Sequence, residues 1–118
     1  MTPQQVFDKV ARHLLTQRKR SLKGQGGPCA YRGDDGAACA VGCLMTDDEA
    51  KKADAHAMGA VREIAKVGLL PTRLAPHVRL LDALQDVHDM GELHEWADEL
   101  RELARRRKLR VTVLKEFK

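Results

Sequence analysis

At 118 residues the chain is long enough for one hydrophobic core and too short for two. Only 3% of its residues are aromatic, so Leu, Val, Ala and Met must build that core, a composition that favours helices packed on helices. The 21 Lys and Arg are interspersed with 17 Asp and Glu for a net charge of +4, a mixed surface that serves solubility first, and no apolar run approaches the roughly 18 residues of a membrane span.

Thr2, Pro3 and Gln5 form a capping box with proline at the first helical position. Val6, Phe7, Val10, Leu14 and Leu15 follow at three- and four-residue steps, which predicts a helix ending near Arg18-Lys19-Arg20. Gly24, Gly26, Gly27 and Pro28 then predict a loop. Cys29 to Val41 reads as two short extended segments about Gly33-Asp34-Asp35-Gly36, a turn rich in residues that tolerate positive φ. A three-residue loop puts Cys29 and Cys39 on the same face, and a two-residue loop puts them on opposite faces. Thr46-Asp-Asp-Glu49 is a second capping box, and one helix is expected from there through Ala57, Val61, Ile64 and Ala65 toward Gly68.

After the Pro71 to Pro76 connection, His77, Leu81, Leu84 and His88 share one stripe that Gly91 closes. Leu93, Trp96, Ala97, Leu100, Leu103 and Ala104 keep the helical period throughout, so Trp96 is expected in the core. The tail 109–117 switches to β-branched residues and reads as a third strand that joins the hairpin. The expected fold is therefore α+β and mostly helical: a single domain over 1–118 with a small hairpin (29–41) or three-stranded sheet packed on three to four helices.

The start of the chain has neither a basic leader before an apolar run nor a lipidation motif, so an unexported protein with no membrane partner is expected. In such a chain an odd number of cysteines argues for thiols, a metal or burial rather than a disulfide framework. Cys29, Cys39 and Cys43 with His88 as fourth ligand would suit a structural zinc, which takes thiolate and imidazole in a closed tetrahedron. The spacing C-x9-C-x3-C is not the usual pairing of zinc ligands, and buried cysteines with no cofactor are the competing reading. A thiol nucleophile is the next alternative, with His88 as base and Asp89 or Asp86 orienting the ring. Tyr31 and Arg32 beside Gly33 and Gly42 would make an anion pocket, since a guanidinium binds phosphate or carboxylate bidentately. The clusters Arg18–Arg20 and Arg105–Lys108 fall at predicted helix C-termini, where cations are favoured for stability and where a phosphate backbone is the alternative partner.

The blocks Cys-Ala-Tyr-Arg-Gly, Cys-Ala-Val-Gly-Cys-Leu and Leu-Gln-Asp-Val-His-Asp, followed by Trp96 in a leucine-rich helix, resemble a set of small phage- and prophage-encoded accessory proteins. The resemblance spans roughly residues 2 to 109 and names no activity. It implies a phage protein in the host cytoplasm that binds a host macromolecule, such as a defence protein, and it draws attention to Cys29, Tyr31, Arg32, Cys39, Gly42, His88 and Asp89 as the shared pattern. The expected binding residues are Tyr31, Arg32, Gly33, Gly42, His88 and Asp89. This chain departs from the set after Leu44, where Met-Thr-Asp-Asp-Glu-Ala stands in place of Ile-Pro-Asp-Glu and a later tyrosine. A small enzyme or phosphate-ligand protein built on Cys39, His88 and Arg32 remains the alternative, and a nucleic-acid binder the second.

Overall fold

In the computed structural model, which describes residues 1–24, 27–56 and 60–117, five α-helices share one core. They are α1 (Pro3–Gln17), α2 (Asp47–Ala55), α3 (Val61–Lys66), α4 (Val78–Met90) and α5 (Trp96–Arg106). Both expected capping boxes form. The Thr2 hydroxyl accepts from the Gln5 amide while the Gln5 side chain accepts from the Thr2 amide, and Thr46 and Glu49 repeat the exchange. Each box satisfies two amide donors that a helix start otherwise leaves open.

The apolar stripe of α1 packs against α4, α5 and the C-terminal turn, and α3 packs on α4. Phe7, Leu14, Leu81, Leu84, Trp96 and Leu100 are fully buried between them. The charged face of α1 stays wet, and Arg18 closes the helix in the left-handed region, its amide bonded to the Leu14 carbonyl. No helix of the described residues is long and apolar enough to cross a membrane.

The expected α+β arrangement is not what forms. Among the described residues, extended backbone pairs only in two isolated antiparallel bridges, Leu22 with Cys29 and Arg32 with Ala38, and the chain is mostly helical. The turn does form at Gly33–Ala37, with Asp35 and Gly36 at positive φ, but no hairpin over 29–41 extends from it. Residues Ala37 to Val41 are all buried in succession, whereas a half-buried strand would alternate. Several amides that a ladder would use are taken by side chains instead. Those of Tyr31 and Arg32 go to Asp54, that of Ala38 to Gln17 and that of Val41 to Gln85.

The tail is likewise no third strand. Residues Thr112–Phe117 wind into a 3-10 turn that lays the neighbours Val113 and Leu114 on α1. Arg12 holds Glu116 through two hydrogen bonds of 3.0 and 2.9 Å, and Gln4 brackets Arg110 by its amide and carbonyl. With no sheet edge to join, β-branched residues here fill a groove on a helix. The single helix expected from Thr46 to Gly68 is also broken, since α2 ends where His56 turns extended and α3 restarts after an extended Ala60. Ala57, expected inside that helix, and Gly26 of the loop lie outside the described residues.

Outside the core, Arg73 reaches Glu49 through two bonds of 2.8 and 2.7 Å and ties the 71–76 connection to the start of α2. Hydrogen bonds from Arg73 and then from the Thr46 amide lower the Glu49 carboxyl to about 2. A carboxyl depressed in the folded state stabilises above its unfolded pKa, and that contribution disappears as pH falls through the folded value. The stability of the wild type should therefore decline from the ordinary carboxylate range down to about pH 2. Glu49→Gln should flatten part of that decline in urea unfolding, and an unchanged pH profile would show that the pair contributes nothing.

Candidate functional site

His88 falls on the stripe of α4 that carries Leu81 and Leu84, so the helical period drives an imidazole into the core, where it is fully buried. Burying its two nitrogens is tolerable only if both are bonded. The Ser21 amide donates to Nε2 at 2.9 Å. That fixes the ring proton on Nδ1, which donates to Asp89 Oδ1 at 2.6 Å. Gln85 donates to the same carboxylate oxygen at 3.1 Å and accepts from the Val41 amide at 3.2 Å. The Trp96 ring covers the imidazole with centroids 5.8 Å apart and planes tilted by 31°.

Cys29, His88 and Asp89 bring ligand atoms within 4.8 Å of one another. Cys39 and Cys43 do not join them. The Cys39 sulfur accepts from the Gly42 amide at 3.2 Å inside the core, and the Cys43 thiol donates to the Ala40 carbonyl at 3.1 Å. The four residues expected to hold zinc are thus not brought to one point. The triad that does assemble suits a metal poorly. A metal on Nδ1 would have to displace the proton that the Ser21 bond leaves there, which would turn the ring into an imidazolate.

The same bonds weigh against His88 as a general base, because its free lone pair already accepts a backbone amide. Nor is any thiol activated. Burial first, then the charge of Asp89, raises Cys29 to about 11, and burial raises Cys39 and Cys43 to about 12. At neutral pH all three are thiols, and a thiol is a poor nucleophile.

Tyr31 and Arg32 are also drawn into the structure. Asp54 accepts their successive amides at 2.7 and 3.0 Å, and Tyr31 is buried. The Arg32 guanidinium turns inward, donating to the carbonyls of Gly42 and Met45 and reaching Asp47 at 3.3 Å. It staples the 42–45 turn to the start of α2 in place of holding an anion. Gly42 is there because the backbone crosses itself: a Cβ would lie 2.0 Å from the Tyr31 carbonyl oxygen. Gly33 is hemmed in similarly by Leu22 and Ser21.

The basic clusters divide. Arg20 donates to the carbonyls of His88 and Gly91 and is part of the same frame. Arg105 pairs with Glu102, whose carboxylate also lies 3.9 Å from Arg106. Sequence reasoning missed Ser21, Asp54 and Gln17, which nothing in a local pattern marks. Gln85 did leave a signal, as a polar residue between Leu84 and His88 on a buried stripe. Comparison with protein-family models, curated proteins and solved structures found no match.

Two outcomes follow for this region. His88→Ala leaves a cavity and strands the Ser21 amide, so urea unfolding should show a loss of about 3 kcal/mol; a loss under about 1 kcal/mol would deny the imidazole its structural part. A disulfide reagent at pH 7 should modify the native thiols roughly a hundredfold more slowly than free cysteine, with the reaction becoming fast in denaturant. A native thiol reacting at the free rate would restore the nucleophile.

Proposed function

We propose that the chain is a small interaction protein that acts by binding a host macromolecule in the cytoplasm, as its resemblance to phage-encoded accessory proteins implies. What supports this over an enzyme is the internal saturation of its reactive groups. His88, Arg32 and Asp54 spend their bonds on backbone amides and carbonyls, and the three thiols are protonated. A catalytic group needs a free lone pair, proton or charge within reach of a substrate, and the bonds made by these groups go to the frame itself.

Binding needs no such freedom, since a rigid frame that presents loops and helix faces is sufficient. The frame hypothesis also assigns the residues around Tyr31 and Arg32 a part: they hold the 33–37 turn and the 42–47 segment in place for contact. Asp34, Asp35 and Asp47 on those segments are exposed.

The test is crosslinking of the tagged protein in host cells, followed by quantitative purification with and without nuclease. Stoichiometric recovery of one host component, retained by the Cys29→Ser, Cys43→Ser double variant, is the expected result. Retention through nuclease treatment identifies that component as protein, and loss on nuclease identifies it as nucleic acid. Recovery no greater than that of an unrelated protein of equal charge would overturn the proposal.

A further inference from the structure

The outward face of α4 and α5 carries charge in an order that its own sequence can answer. Along α4, Arg79, Ala83, Asp86 and Met90 follow at steps of four, three and four, so they share one stripe. Along α5, Glu99, Leu103 and Arg106 do the same. The two helices are in contact, and the clefts along their seam pair the C-terminal end of α4 with the N-terminal part of α5. One end of the face is therefore mostly acidic, with Asp86, Glu99 and Glu102, and the other is basic, with Arg79 and Arg107, while Arg106 lines both the acidic cleft and the middle of the seam.

Two observations mark this face. Met90 is 79% exposed, the largest value among the exposed large apolar side chains. Burial, and then the charges of Asp82 and Asp89, raise the Asp86 carboxyl against the opposing charge of Arg62, and Asp86 has no cation partner among the described ion pairs.

The basic end supplies what the acidic end lacks. A cleft of about 410 Å³ is lined there by the apolar parts of Pro76, Val78, Leu80 and Leu109 and rimmed by Arg79 and Arg107. A cleft of about 400 Å³ at the acidic end is lined by Asp86, Met90, Glu99 and Glu102, together with Arg106. A smaller one between Ala83 and Leu103, reaching Arg106 and Arg107, joins the two.

We infer that this face binds a second copy of the chain, the two seams running antiparallel about a two-fold axis near Ala83 and Leu103. In that arrangement Met90 of each copy enters the apolar cleft at the basic end of the other. Asp86 meets Arg79 across the interface, and the acidic end beside Glu99 meets Arg107. Each contact occurs twice, as an isologous interface requires. The centre is small, Ala83 beside the buried Leu103, which lets four helices approach closely. A footprint two helices wide and about 20 Å long lies at the small end of specific interfaces, so dissociation on the order of micromolar is expected. This inference goes beyond host binding and does not depend on it.

Sedimentation velocity of the full chain, across concentrations that bracket the micromolar range, decides the matter. The wild type should pass from 13.2 kDa to twice that mass, and added salt should shift the transition to higher concentration. Asp86→Lys and Arg79→Glu change exposed side chains, so both variants should keep the wild-type far-ultraviolet spectrum while each alone stays monomeric. Mixed in equal amounts they should form a dimer, because Lys then faces Glu at one contact and Asp faces Arg at the other. A wild type that stays monomeric throughout, a dimer that ignores both substitutions, or a mixture that stays monomeric would each overturn the inference.

Discussion

Every backbone amide taken out of water has to find an acceptor, and in this protein the demand falls hardest on the stretch from Ser21 to Val41. That stretch is buried over much of its length and pairs with itself only at isolated bridges, so backbone carbonyls answer some of its donors, such as those of Ala30, Asp34 and Cys39, and not others. The amides of Ser21, Tyr31, Arg32, Ala38 and Val41 are satisfied by side chains reaching out of the helices. The bond from the Ser21 amide to His88 is the deepest of these. It sets the tautomer of the ring, the ring then orients Asp89, and Asp89 collects Gln85, which in turn accepts the Val41 amide. Four groups from three parts of the chain are linked through one imidazole on the buried stripe of α4.

That dependence explains why residues that look reactive are not. Imidazole, guanidinium and carboxylate are chosen here for the same property that makes them useful in catalysis, the ability to place two directed bonds at once. Asp54 spends its two oxygens on consecutive amides, and Arg32 spends its fork on two carbonyls and a carboxylate. A buried network of this kind is stable only when complete, since each orphaned member would carry its own desolvation cost. Gly42 belongs to the same design, because the chain can reach Arg32 only by passing too close to Tyr31 for any side chain.

The helices were legible because their signals are local. Two capping boxes and the recurrence of Leu, Val and Phe at helical steps identify α1, the start of α2, α4 and α5 within a few residues. The inward placement of His88 and Trp96 followed from the same period. The hairpin and the third strand were misread because β-character was inferred from turn residues at Gly33–Gly36 and from Val111 to Val113 alone. What decides those segments lies elsewhere in the chain: Asp54 takes amides 23 and 22 residues before it, and Gln17 takes one 21 residues after it. An acceptor that arrives from a distant helix leaves no local pattern. The cysteines were misleading in a related way, since closeness in sequence suggested a shared site while the turn at 33–37 sends Cys29 toward α4 and Cys39 into the core.

A net charge also conceals how charge is arranged. The excess of basic residues is spread over helix ends, where Arg18 caps α1 and Arg105 and Arg106 answer Glu102 on their own helix. Arg12, Arg62 and Arg73 each have a carboxylate from another part of the chain. These pairs are exposed and individually worth little, and they engage only a minority of the 21 Lys and Arg. Asp86 and Glu99 have no such partner among the described ion pairs and stand together on the face that also exposes Met90. Other polar atoms also lack a partner among the described residues, Ser21 Oγ and Trp96 Nε1, but they lie within the core. Two carboxylates beside an exposed thioether give that helix pair something to gain from a partner.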